Sequence, residues 1–82
     1  MDLNALKNSK EYKDADEKVS KWKDRIINGD KGEALKVGSE KREFFDKMKA
    51  TMPQLYLSFE MDDKDLSEMI FKKMTGKDII IN

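Results

Sequence analysis

PQLYLSFEM, residues Pro53–Met61, is the stretch on which the fold turns. Leu55, Leu57, Phe59 and Met61 alternate with Tyr56, Ser58 and Glu60, which is the period of a half-buried strand. The same residues also satisfy a helix. Thr51 stands three residues before Gln54, and Pro53 sits near a first-turn position, where its missing N–H costs nothing. Leu55, Phe59 and Tyr56 then share one helical face. The helical reading is preferred, because an isolated strand finds few partners in so short a chain. The alternative is an α+β fold with a small sheet from residues 55–61 and 78–82.

Upstream of this stretch the pattern is plainer. Tyr12, Ala15, Val19, Trp22 and Ile26 follow at spacings of three and four, one helical face in heptad register. Asn8 precedes Glu11 at the spacing of a capping pair, which predicts a helix start there. Asn28-Gly29 stops this helix, and NGDKG (residues 28–32) reads as a short helix–helix connection. From Glu33 to Met52 a second ladder runs through Ala34, Val37, Lys41, Phe44 and Met48, with Phe45 and Met52 alongside. Lys41 interrupts it, and Gly38-Ser39 either begins the helix proper or allows close packing. The two ladders describe an αα-hairpin.

Downstream, Asp62 or Asp63 caps a further helix, DKDLSEMIFKKMT, with acids in its first turn and Lys72-Lys73 in its last. Gly76 closes it. The run Ile79, Ile80, Ile81 follows, β-branched and extended by preference. The expected architecture is therefore mainly α and a single domain over residues 1–82. It comprises an αα-hairpin, one or two shorter helices and an extended C-terminal tail.

Charged residues make up 41% of the chain and hydrophobic residues 38%, with a mean hydropathy of -0.84. Such a balance approaches that of disordered chains, but those are depleted in large apolar residues. This one has a Trp, four Phe and six Met at regular spacings, so it is read as folded. Seventeen basic side chains are matched by seventeen acidic ones, so no region has the concentrated basic footprint that binds phosphate backbones by charge. Lysine-heavy usage points to an AT-rich genome, bacterial or phage. The first residues, MDLNALKNSK, lack the basic and apolar regions of a signal peptide, and no apolar run reaches the ~20 residues of a membrane span. A soluble, cytoplasmic protein is expected.

With no His and no Cys, imidazole acid–base chemistry, thiolate nucleophiles and zinc sites of the usual kind are excluded. No catalytic residue, metal ligand or cofactor is assigned, and the protein is read as a non-enzyme. Glu60, Asp62, Asp63 and Asp65 form an acidic knot, but a calcium loop starting at Asp63 would need Gly at Glu68 and Glu at Met74. Their simpler role is as helix-start acids. GEALKVGSEK misses the spacing of a phosphate loop. Lys18, Lys21 and Arg25 line one flank beside Trp22, the best case for nucleic acid, but Asp14, Glu17 and Asp24 interleave with them.

What remains is an excess of apolar surface. Met48, Met52, Met61, Met69 and Met74 fall near inner faces and are read as gap-filling core, the alternative being an adaptable partner surface. A chain of this size cannot cover all of Tyr56, Leu57, Phe59, Phe71, Ile79, Ile80 and Ile81. Contiguous exposed apolar groups mark interaction sites, so these seven are the expected protein interface. The expected function is a small protein-binding regulator, inhibitor or assembly factor that self-associates as a homo-oligomer. The alternative is a nucleic-acid-associated accessory protein.

Overall fold

The computed structural model describes residues 8–76. They form three α-helices: α1 (Lys10–Asn28), α2 (Lys31–Thr51) and α3 (Pro53–Thr75). No strand occurs among the described residues. The protein is mainly α, and residues 55–61 are helical. The tail with Ile79, Ile80 and Ile81 lies outside the described residues.

Local chemistry sets each helix end. α1 starts one residue later than the Asn8 spacing predicts: Ser9 is the cap, its hydroxyl accepting from the Tyr12 backbone N–H at 3.2 Å. α1 then runs through Asn28, and only Gly29 and Asp30 separate it from α2. Gly29 has ordinary extended backbone, φ −94° and ψ 179°, so its requirement is steric. A Cβ there would lie 2.5 Å from the Arg25 carbonyl oxygen and 2.8 Å from the Glu33 side chain. Asp30 caps α2 by accepting from the Glu33 N–H at 2.9 Å. An exposed cap of this kind contributes about 1 kcal/mol.

Gly38 neither begins α2 nor permits a close approach. The helix passes straight through it, and a Cβ would meet Ile70 at an ordinary 3.6 Å. Met52 alone joins α2 to α3. Its N–H donates to the Met48 carbonyl at 2.7 Å, and its own carbonyl accepts from the Tyr56 N–H at 3.1 Å. Thr51 does not cap α3; its hydroxyl donates back to the Lys47 carbonyl at 2.8 Å. Pro53 opens α3.

The expectation of shorter helices after the hairpin needs correction. α3 is the longest of the three and runs unbroken through Asp62 and Asp63, which therefore cap nothing. A strand at Leu55–Met61 would find no strand among the described residues to pair its N–H and C=O groups, whereas a helix satisfies them within the segment. Gly76, in the left-handed conformation at φ 70°, ends it and donates to the Lys72 carbonyl at 2.8 Å.

Each helix contributes one stripe to a common core. Ala15, Val19, Trp22 and Ile26 come from α1, Ala34, Val37, Phe45 and Met48 from α2, and Leu55, Phe59 and Leu66 from α3. Phe45 lies at the junction: its ring centroid is 5.9 Å from Trp22, 5.9 Å from Tyr56 and 6.4 Å from Phe59. Tyr12 stacks at a tilt on Phe59 at 4.8 Å, and Phe44 edges onto Trp22 at 5.7 Å. Such pairs add roughly 0.5–1.5 kcal/mol each beyond the area they bury.

Trp22→Ala and Phe45→Ala are each expected to lower the unfolding free energy by about 3–5 kcal/mol, a large part of what a domain this small possesses. The exposed control Ser20→Ala should change it by less than about 0.5 kcal/mol. Urea unfolding followed by circular dichroism checks this. A midpoint barely moved by Trp22→Ala would show that the indole does not hold the hairpin together.

Candidate protein-binding surface

The seven residues expected at an interface have three different fates. Phe59 is a core residue, only 1% exposed, so it offers nothing to a partner. Tyr56 is half-buried and tied inward by its hydroxyl. Leu57 and Phe71 stand in solvent at 67% and 54% exposure. Ile79, Ile80 and Ile81 lie outside the described residues.

Tyr56 is held by a polar cluster between α2 and α3. Its hydroxyl donates to Asp63 Oδ2 at 2.7 Å, while Lys41 Nζ donates to Asp63 Oδ1 at 2.5 Å. The Lys41 and Asp63 side chains are only 13% and 17% exposed. This explains the lysine that breaks the apolar ladder of α2: it lies toward α3, not away from it. Burial pushes the Asp63 carboxyl up, but the hydrogen bonds from Lys41 and Tyr56 and the Lys41 charge outweigh it and hold the group below its ordinary value. Burial, then the Asp63 hydrogen bond and charge, push the Tyr56 hydroxyl up to about 12.

Three of the four acids in the knot, Glu60, Asp62 and Asp63, are likewise engaged in ion pairs in mid-helix rather than at a helix start. Asp62 pairs with Lys23 of α1 at 3.6 Å and Glu60 with Lys64 at 3.4 Å. Among the described residues no group of three acids is placed to hold a metal ion. The basic flank of α1 is engaged as well. Arg25 bonds Glu33 through Nε at 2.6 Å and Glu40 through its terminal nitrogens at 2.9 and 3.0 Å. These contacts, the Glu40 hydrogen bond foremost, raise the guanidinium pKa, and Arg25 in turn lowers that of Glu40. Lys21 pairs with Glu17 at 3.0 Å, and Lys18 lies over the Phe44 ring at 5.6 Å. No described helix is long and apolar enough to cross a membrane.

The exposed apolar residues that sequence reasoning missed are Met61 at 66%, Ile27 at 62%, Leu35 at 55% and Met52 at 40%. Met61 and Met52 thus correct the expectation of an inner-face role, whereas Met48 is buried as expected. Single exposed apolar residues are ordinary; a row of them is not. At 100° per residue, Leu57, Met61 and Phe71 all fall on the side of α3 opposite Leu55, Phe59 and Leu66. The two faces of α3 explain the strand-like alternation of residues 55–61. Odd-numbered apolar positions there serve the core and the solvent side in turn.

The polar cluster yields a pH signature. Because the fold holds Asp63 ionised below its ordinary 3.8, its contribution is complete above that pH and is lost as the pH falls through the lower folded value. Tyr56 acts at the other end: with its pKa raised from 10.0 to about 12, its stabilisation is present below pH 10 and is lost as the pH rises through about 12. Asp63→Asn should lower the unfolding free energy near neutrality by about 1–3 kcal/mol. The gap from wild type should shrink on acidification below about pH 4, as measured by urea unfolding across pH. A gap that stays constant into strong acid would mean that the Asp63 charge contributes nothing.

No protein-family model, curated protein or solved structure matches this chain, so the functional reading rests on its surface.

Proposed function

We propose that the protein acts without catalysis, as a small regulator, inhibitor or assembly factor that binds another protein through the outer face of α3. One observation carries the reading: Leu57, Met61 and Phe71, each more than half exposed, share the side of α3 that faces away from the core. Leaving large apolar side chains in water costs free energy, and a set of them on one face is what a partner surface covers. Methionine suits such a role because its unbranched, polarisable side chain adapts to the shape it meets. The composition supports the same choice, since a chain without His or Cys lacks the commonest acid–base and nucleophilic groups.

Binding to nucleic acid draws less support. Arg25, Lys21 and Lys18 are engaged with Glu33, Glu40, Glu17 and Phe44 within the fold. A phosphate backbone would have to displace these partners, with no surplus of positive charge in the chain to favour the exchange.

A photo-reactive amino acid placed at Met61, in the native host, is expected to give discrete protein adducts. The same group at Lys13, on the exposed side of α1, should give few. Equal labelling from both positions would remove the outer face of α3 from consideration. Retention of the purified protein on duplex DNA, released steeply by salt, would favour the nucleic-acid reading instead.

A further inference from the structure

The outer face of α3 has a symmetry that its apolar residues alone do not show. Leu57, Met61, Lys64, Glu68, Phe71 and Thr75 follow at spacings of 4, 3, 4, 3 and 4, the alternation of a two-helix seam. All six lie within about 40° of the line opposite Leu66, and all six are exposed. The stripe is complementary to itself when reversed. Met61 and Phe71 bracket Lys64 and Glu68 at equal distances, apolar outside and opposite charges inside.

We propose that this stripe is the contact between two copies of the chain, with their α3 helices packed antiparallel about a two-fold axis at Leu66. The proposal rests on the reading of the outer face of α3 as a protein-binding surface and names its partner. Running the second copy in the opposite direction brings each residue against the one whose number sums with it to 132. Met61 then faces Phe71 of the second copy, and Phe71 faces its Met61. Lys64 faces Glu68 of the second copy, and Glu68 faces its Lys64. Leu57 meets Thr75 at each end of the seam. An isologous contact requires such self-complementarity, because one patch must serve as both halves.

The reverse-direction match also selects against the other arrangements. A parallel pair in register would set Lys64 against Lys64 and Glu68 against Glu68, two like-charge layers at the centre of the seam. The antiparallel pair turns both layers into ion pairs and covers the exposed Met61 and Phe71 at once. Lys64 can turn toward the second copy at little cost, since its pair with Glu60 is an exposed one, with the Lys64 side chain 63% exposed. The seam spans about 27 Å, roughly five helical turns. Its apolar layers are few, which places it among weak interfaces that assemble at roughly 10 µM to 1 mM.

Reversing the charges tests the register. Lys64→Glu alone would set two carboxylates against each other in both central layers, and Glu68→Lys alone would set two ammonium groups there. Sedimentation equilibrium over that concentration range should show each single variant weakened about tenfold or more relative to wild type. The double variant Lys64→Glu, Glu68→Lys restores opposite charges in both layers and should recover association. An equimolar mixture of the two single variants should recover it as well. Thermal melts establish that each variant is folded. A wild type that stays monomeric throughout overturns the dimer, while leaving the cross-linking test at Met61 to decide whether the surface binds anything else. Wild-type dimers indifferent to the single reversals, or a double variant and mixture that fail to recover, overturn this seam and its register.

Discussion

The three helices of this fold converge on the ring of Phe45. Its aromatic neighbours come from both other helices, Trp22 from α1 and Tyr56 and Phe59 from α3. A chain of 82 residues buries a small core, and it compensates by concentrating that core in rings that bury much area for few rotatable bonds. The short connections at Gly29-Asp30 and Met52 reinforce this. They leave each helix little freedom except to fold back on its predecessor, which brings the stripes of α1, α2 and α3 onto one another.

The polar contacts refine what the rings begin. Lys41 sits on the apolar stripe of α2, where an unpaired ammonium would be costly to desolvate. Asp63 meets it across the helix pair, and the Tyr56 hydroxyl donates to the second oxygen of the same carboxylate. Arg25 does the same between α1 and α2 with two glutamates. Among the described residues no buried side-chain polar atom lacks a partner. These bonds specify how the helices rotate against one another, since a slip of one residue in α3 would carry Asp63 away from Lys41.

That rotation decides which side of α3 meets solvent. With Leu55, Phe59 and Leu66 turned inward, the stripe from Leu57 to Thr75 is turned out. Its apolar members add nothing to the core of a single chain. Their order, apolar, basic, acidic, apolar, favours a partner running in the opposite direction. The same helix is thus structural on one side and, under the proposal, a recognition surface on the other.

Much of the fold was legible in the residues themselves. The three-four spacing of Tyr12 to Ile26 marks a helix because an α-helix turns 100° per residue and only that spacing makes a continuous stripe. The stop at Gly29 and the start at Pro53 were likewise local matters of backbone sterics. Other features were settled only by tertiary contacts. The alternation in Pro53–Met61 suits a strand as well as a helix; the sequence only leaned toward the helix, and the described residues are helical there with no strand to pair with. Asp62 and Asp63 carry every local sign of a helix cap, yet Lys23 and Lys41 neutralise them in mid-helix from the neighbouring helices. Phe59 and Met61 look alike in sequence, and packing put one at 1% and the other at 66% exposure. Periodicity reports which residues share a face, because that depends on the chain's own geometry. Which face is buried depends on where the other helices lie, and no local spacing carries that information.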